Sequence, residues 1–268
     1  MLNVLAVIFY ILAMLMSVWY AFYKDTRLKI ASLISIFVAV IFQTITIFML
    51  YEELAIFPIF SLKYAVFMFA WAIAVGSILV SILFRETISV VSFSSPLIIV
   101  LLVVSFFLKG STKELSPIFN TDIFPIHVLF SIISYGLFAL SFVSSIMYIS
   151  QETWLKRKRI MWVTRWLPSL FILDDLAYKT LTIGLPLLTL GIITGALWAN
   201  RVYGSYWNWD PKETWSLIVW FSYIFILHGR ISLGWKGKKF AFASICCFLL
   251  VVFSFIGVNF IFKGYHSF

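Results

Sequence analysis

Eight runs of apolar residues, each near the length of a membrane-spanning helix, divide the chain. They lie at 2–22, 30–50, 60–84, 90–108, 126–149, 178–199, 212–233 and 240–262. About 20 apolar residues in a helix are needed to cross the hydrocarbon core of a bilayer. The pattern therefore predicts an all-α polytopic membrane protein with about eight transmembrane helices, forming a single transmembrane domain over residues 1–268.

The composition agrees with this pattern and excludes two other classes of protein. Apolar residues make up 63% of the chain and charged residues only 12%. A water-facing globular domain carries about 25% charged residues, and a disordered chain has far fewer apolar residues. The chain is therefore expected to have the lipid bilayer as its solvent.

The cations predict the orientation of the spans. With the N-terminus outside, 14 of the 20 Lys and Arg residues fall in inner segments, as the positive-inside rule requires. The first cation is Lys24, so the first run is expected to be a retained span rather than a cleaved signal peptide. The dense tract Lys156–Arg159 indicates a cytoplasmic loop that meets anionic lipid, and it is too short to suggest nucleic acid as a partner. Eight spans then put both termini on the outer side.

Two stretches between the runs are long enough to carry structure of their own. Residues 109–125 contain two prolines and an Asn-Thr-Asp turn signal, which predicts an outer loop. Residues 151–177 begin with a basic tract and continue with three tryptophans, which predicts an interfacial helix on the inner surface. The chain thus divides into the first four spans with the outer loop (1–125) and a second half (126–268).

The segment 198–215, between the sixth and seventh runs, is dense in aromatic residues. They are Trp198, Tyr203, Tyr206, Trp207, Trp209 and Trp215. An aromatic belt at a membrane surface needs only one or two such residues at each helix end. With Gly204 and Ser205 beside the cluster, the segment predicts a flat apolar platform for a large planar conjugated ligand. Arg201 and Lys212 flank it. They are candidates to bind anionic groups of that ligand, or they are solvated interfacial cations.

The end of this segment has the pattern of a helix start. Asp210 is in place as the N-cap, Pro211 as the first helical residue and Glu213 as the capping-box partner. Span six also contains Gly191 and Gly195, a small-xxx-small pattern that predicts close helix packing.

The chain has three histidines, and they sort by depth. His127 begins span five and His266 follows span eight, both at the level of the aromatic segment. Two neutral imidazoles beside a flat aromatic surface are the ligands that a six-coordinate haem iron requires. His228 lies about 22 Å deeper than Glu213 along its span, where an ionisable group is expensive and usually functional. It has no histidine at its own depth, which indicates a partner subunit.

Several of these residues carry a family resemblance. The run Trp207-Asn-Trp209-Asp210-Pro-Lys-Glu-Thr-Trp215 resembles the tryptophan-rich "WWD" signature of cytochrome c assembly proteins, in particular the CcsA (ResC) branch of the system II pathway. The contexts of His127 and His228, and the final segment from Gly257 to Ser267, resemble the same branch. The resemblance covers about residues 120–268, and the first half matches only in hydropathy.

The resemblance implies a function. Members of this branch handle haem b on the outer face of the bacterial plasma membrane and, with a CcsB (ResB) partner, attach it to the C-x-x-C-H motif of apocytochrome c. It implies axial ligation by His127 and His266, with His228 paired with a partner histidine at an inner site. No catalytic side chain is identified. The implied haem-binding residues are His127, His228, His266, Trp198, Arg201, Trp207, Trp209, Asp210, Lys212 and Trp215.

Three alternatives remain open at this level. A haem chaperone or exporter of the CcmC type would load haem onto another carrier without forming thioethers. A regulator of the HemX type would sense haem. A transporter or structural subunit would bind no haem, and its aromatic segment would be an ordinary interfacial belt.

Overall fold

The computed structural model describes residues 2–54, 61–83, 89–108, 110, 121–158 and 167–257. Within these residues the fold is all-α, with eight helices that are each long and apolar enough to cross a membrane. They are α1 (Leu2–Tyr23), α2 (Thr26–Leu54), α3 (Leu62–Leu83), α4 (Ser89–Phe107), α5 (Ile123–Lys156), α6 (Leu170–Tyr203), α7 (Pro211–Ser232) and α8 (Lys238–Val252), and a π-helical turn, Phe253–Gly257, follows α8. The prediction of about eight transmembrane helices is confirmed.

One buried core joins helices from both halves of the chain. The largest contact is between α5 and α6, and α3 connects the first half to the second by packing on α5. Gly136 permits this second crossing, because a Cβ there would lie 2.7 Å from the backbone carbonyl of Ala72. Small residues allow helices in a bilayer to approach closely, and dispersion between their surfaces then holds them together.

Buried polar side chains also join the first three helices. The Tyr10 hydroxyl on α1 donates a 2.7 Å hydrogen bond to Oε1 of Gln43 on α2, and the Gln43 amide donates to the Phe67 carbonyl on α3 at 2.9 Å. In a bilayer core no water is available to pair such groups, so they bond to each other. Hydrogen bonds are directional, so these two bonds select the partners of each helix more specifically than apolar contact does.

The two ends of the helix bundle differ in the residues they hold. The loop end holds the start of α5, the end of α6 and the start of α7, and the basic end holds the opposite termini of the same three helices. At the basic end Asp174 and Arg230 form a two-pronged ion pair, with N–O distances of 2.9 and 2.7 Å. The backbone N–H of Gly237 also donates to Asp174, and Arg230 donates to the Trp235 carbonyl. This cluster ties α6 to α7 and to the start of α8.

The structure corrects the prediction of a separate interfacial helix at 151–177. Residues 151–156 continue α5 and residues 170–177 begin α6, after Ser169 caps the helix by accepting from the Ile172 N–H. Glu152 and Lys156 pair at 2.9 Å one turn apart, which supports the extension of α5 beyond its apolar run. Residues 159–166 lie outside the described residues, as does most of the predicted outer loop at 109–125. The orientation of the termini across the bilayer stays a prediction.

Candidate functional site

The aromatic segment forms a short loop between α6 and α7. It begins at Gly204, which ends α6 in the left-handed region (φ +75°) and whose N–H donates to the Asn200 carbonyl. Ser205 then bridges the turn by donating from its hydroxyl to the Trp207 carbonyl at 2.9 Å. The loop ends at Asp210, so the tryptophan loop is residues 204–210.

The predicted helix start at Asp210 is confirmed. Asp210 accepts from the Lys212 N–H at 2.9 Å, Pro211 opens the helix, and both halves of the capping box with Glu213 are present. Glu213 also bonds the loop that precedes the helix, because its Oε2 accepts from the N–H groups of Asn208 (2.9 Å) and Asp210 (3.3 Å). The carboxylate therefore bonds the backbone on both sides of Trp209.

Trp209 has a strained backbone and an exposed ring. Its φ is +56°, a left-handed conformation that is unusual for a bulky residue and is maintained only where surrounding contacts impose it. The two hydrogen bonds to Glu213 supply that constraint. The side chain is 77% exposed, and its ring lies perpendicular to that of Trp207, with 6.0 Å between centroids. The two rings are not coplanar, so this pair does not form the flat surface that the sequence predicts.

Asn208, between the two tryptophans, is a residue that sequence reasoning missed. Its side-chain Nδ2 is buried and has no hydrogen-bond partner in the described part of the chain. A buried amide donor is nearly always paired in folded proteins. An acceptor brought by a ligand would satisfy it, so the loop combines an exposed aromatic face with an unused donor.

His127 lies in the second turn of α5 and packs against α6. Its Nδ1 lies 2.7 Å from the carbonyl oxygen of Gly191, and since a carbonyl only accepts, Nδ1 carries the proton. The lone pair of the neutral imidazole is then on Nε2, the arrangement that second-shell carbonyls impose on metal-ligating histidines. Gly195 makes room for the ring, because a Cβ there would lie 2.7 Å from both Nδ1 and Cε1.

The two glycines thus do more than the close packing predicted for them. A Cβ at Gly191 would lie 2.6 Å from the Ser131 hydroxyl oxygen, so this residue lets α5 and α6 touch. Gly191 also presents its carbonyl to His127, and Gly195 leaves the space that the imidazole fills. We call this arrangement the His127 seat.

Two of the predicted site tryptophans make contacts within the bundle, and their roles toward a ligand stay predictions. Trp198 is 1% exposed and packs with Phe124 and Val128 of α5 and Tyr203 of α6, beneath the loop. Trp215 contacts Phe253 of the π-helical turn edge to face, with 4.6 Å between centroids. These contacts connect the loop to the neighbours of His127 on one side and to the end of α8 on the other.

The remaining predicted residues lie in different places. Arg201 is exposed in the last turn of α6, and Lys212 is half-buried in the first turn of α7. His228 is exposed near the basic end, with Nδ1 3.3 Å from the Ser232 hydroxyl, so the structure does not bring it together with His127. His266 lies outside the described residues, and its role as the second outer ligand stays a prediction.

Within the described residues, the fold and this site define a class: a membrane protein of eight long helices with a capped tryptophan loop and, at the same end of the bundle, a histidine held by a backbone carbonyl. The sequence pattern of the family described as Cytochrome C assembly protein matches residues 60–266. The chain therefore belongs to the cytochrome c assembly protein family.

Individual relatives agree with this placement. The chain is 53% identical over 96 residues to the "Cytochrome c biogenesis protein CcsA" of Pyropia yezoensis and 51% identical over 96 residues to that of Gloeobacter violaceus. Each match covers 36% of this chain but only 30% and 28% of the relatives, so the similarity is confined to a segment. The solved structure of "Cytochrome c Heme Lyase CcmF" superposes with a TM-score of 0.63 at 16% identity, covering 96% of this chain and 48% of that one. This likeness concerns the fold.

Proposed function

We propose that this chain is the haem-presenting subunit of a membrane-bound cytochrome c synthase. It holds haem b at the loop end of the bundle and offers it to the thiols of a C-x-x-C-H motif in apocytochrome c. It acts with a CcsB (ResB)-type membrane protein in the plasma membrane, with the tryptophan loop on the outer side. Membership of the cytochrome c assembly family and the likeness to CcsA proteins support this proposal.

The observation that carries the proposal is the His127 seat. A histidine whose Nδ1–H is committed to a backbone carbonyl, in a pocket opened by a glycine, is prepared to ligate a metal through Nε2. In a chain of this family the metal is haem iron, and His266 is the proposed second axial ligand.

The loop residues fit haem as a substrate. Trp209 offers an exposed aromatic face for the porphyrin, and the buried Nδ2 of Asn208 is a donor for an acceptor group of the ligand. Arg201 and Lys212, on either side of the loop, are the cations that would meet the two propionates. Trp198 and Trp215 act indirectly, by holding the loop on α5 and α8.

The chemistry needs orientation more than a reactive side chain. Thioether formation adds a thiol across a vinyl C=C bond, so that a C–S bond forms, the S–H and C=C π bonds break, and the proton goes to the neighbouring carbon. The chain contributes by holding the haem vinyl groups and the apocytochrome thiols close together and correctly oriented. This lowers the entropic part of the reaction barrier.

The decisive measurement is the absorption spectrum of the purified chain and of its His127→Ala and His266→Ala variants. We expect a six-coordinate, bis-histidine haem spectrum from the parent, loss of stable haem from each variant, and recovery when imidazole is added. Unchanged haem retention in the double variant would contradict the proposal. A parent chain without haem would leave the structural-subunit alternative.

Synthase and chaperone are separated by product. Co-expression of this chain with only a CcsB-type partner and an apocytochrome should give covalently attached haem, detected by haem staining of denatured protein. A CcmC-like chaperone would bind haem without yielding that product. A HemX-like regulator would change haem synthesis while leaving c-type cytochromes intact. His228, exposed at the basic end, is the proposed contact to a histidine of the CcsB-type partner.

A further inference from the structure

An apolar groove lies between α4 and α5 at the basic end, far from the tryptophan loop. Its volume is about 200 Å³, and it is lined by Phe93 of α4, by Leu167 just before α6 and, along α5, by Val143, Ile146, Met147, Ser150 and Trp154. Val143 and Met147 form its buried floor, whereas Ile146 is 42% exposed. The groove is therefore open sideways to the surroundings of the bundle, which in a membrane are lipid chains.

The length of the groove corresponds to one leaflet of the bilayer. Val143 and Trp154 are eleven residues apart on a continuous helix, which is about 16 Å. Half of a ~30 Å hydrocarbon core is about 15 Å. A groove of this length, beginning at a tryptophan that the sequence predicts to lie near the membrane interface, matches the path of a single acyl chain through one leaflet.

The mouth of the groove is basic. Arg157 and Lys158 directly follow the last residue of α5, about one turn beyond Trp154, so they lie close to this end of the groove. Both are exposed, and Lys158 has a left-handed backbone (φ +51°) just after the helix. Glu152 pairs with Lys156 at 2.9 Å, so this neighbouring pair adds no net charge. The mouth therefore carries two positive charges next to a chain-shaped apolar cleft.

We propose that this groove binds one acyl chain of an anionic phospholipid, whose phosphate is held by Arg157 and Lys158. The site is separate from the tryptophan loop and does not depend on haem. Charge complementarity at the mouth selects an anionic headgroup, and apolar contact with Val143, Met147 and Trp154 holds the chain. The bound lipid would fill the gap between α4 and α5, the helices on either side of the boundary between the two halves of the chain.

Native mass spectrometry of the full chain in detergent tests this proposal. The probes are phosphatidylglycerol and phosphatidylcholine with identical acyl chains, added in equal amounts. At about 1 kcal/mol for each cation near the headgroup, we expect a roughly thirty-fold preference for one phosphatidylglycerol per chain. Arg157→Gln with Lys158→Gln should abolish that preference. Lys238→Gln with Lys239→Gln removes the same charge from another helix at the same end and should retain it.

A second variant tests the groove itself. Ser150→Trp places a large ring in the cleft and should lower binding of both lipids about tenfold, whereas Val100→Trp, on an exposed position of α4, should not. Equal binding of the two lipids by the parent chain would overturn the proposal. So would unchanged phosphatidylglycerol binding in Ser150→Trp, because the lipid would then lie elsewhere. If Ser150→Trp does not fold, the pair of surface double variants still decides the question.

Discussion

Single residues at the loop end are held in positions that ordinary packing would not select. Trp209 adopts a left-handed backbone, and His127 occupies a space that exists only because Gly195 has no side chain. Strain and close approach of this kind persist where the surrounding structure imposes them, and they concentrate at functional sites. Trp209 lies within the tryptophan loop, and His127 lies near the start of α5 at the same end of the bundle, which connects residue-level geometry to the proposed haem site.

Gly195→Ala should displace the imidazole of His127. The added methyl group would lie 2.7 Å from Nδ1 and Cε1, so the ring must leave the Gly191 carbonyl. Loss of such an orienting contact costs about tenfold or more in metal affinity. The measurement is the haem content of the purified variant, with and without imidazole. Gly76→Ala is the matched control, since its nearest neighbour would be a Leu140 side-chain methyl at 3.0 Å.

Trp209→Gly should separate stability from binding. Glycine adopts a positive φ without penalty, so removing the strain offsets the lost side chain by about 1 kcal/mol. We expect a melting temperature equal to that of the parent or higher, together with weaker haem retention. Trp209→Ala loses the same ring but keeps the strain and should melt lower. Parental haem retention in Trp209→Gly would show that the indole does not contact the ligand.

At the scale of elements, the first turn of α7 organises the loop that precedes it. The capping box satisfies helix N–H groups, and the same Glu213 carboxylate bonds the backbone on both sides of Trp209. The loop therefore has no independent conformation, because its geometry is imposed by the start of a transmembrane helix. The contact of Trp215 with Phe253 extends this control to the π-helical turn after α8.

Glu213→Ala should loosen the loop without unfolding the bundle. Loss of a capping interaction costs about 1 kcal/mol, which is a roughly fivefold change in local opening. Hydrogen exchange at the amides of Asn208 and Asp210 should accelerate by about that factor, while exchange in α5 stays unchanged. Glu213→Gln keeps an acceptor oxygen, so its exchange rates at these amides should lie between those of the parent and of Glu213→Ala. If these amides exchange at the same rate in Glu213→Ala as in the parent, the Glu213 hydrogen bonds do not stabilise the loop.

At the scale of the whole molecule, the two ends of the bundle are organised differently. The loop end holds His127 and an exposed indole, whereas at the basic end Asp174 and Arg230, whose side chains are 13% and 10% exposed, form an ion pair. The guanidinium carbon of Arg230 also lies 4.9 Å from the ring centroids of Tyr178 and Phe240. Fixing α6, α7 and α8 at this end leaves His228, two residues before Arg230, on an exposed face whose orientation is set.

Asp174→Leu should destabilise the bundle strongly. It leaves the Arg230 guanidinium, whose side chain is 10% exposed, without its counter-ion, and breaking a buried pair in this way costs about 3–5 kcal/mol. Asp174→Asn retains an acceptor for the Gly237 N–H and should cost less. Reversible unfolding in mixed micelles measures the difference. Equal stabilities for the two variants would show that the Gly237 contact contributes nothing.

The basic end also shows where sequence reasoning stopped short. Asp174 and Arg230 are 56 residues apart and each stands in a segment with other charges, so no local pattern pairs them. The sequence likewise does not identify Asn208 as a site residue, because an unpaired buried amide is recognised only when its surroundings are known. Both ends of the stretch predicted as an interfacial helix belong to α5 and α6, because a basic, aromatic sequence is equally suited to the extended end of a transmembrane helix.

The amino-acid sequence alone determined the properties that depend on near neighbours in the chain. Apolar length determined the eight helices, and the spacing of Asp210, Pro211 and Glu213 determined the helix start after the loop. Only the tertiary structure decided which side chains meet: His127 with Gly191 and Gly195, Glu213 with the backbone around Trp209, and Trp198 with Phe124 and Val128 of α5. These contacts depend on how helices cross, and side chains distant in sequence are brought to contact distance only once the bundle has packed.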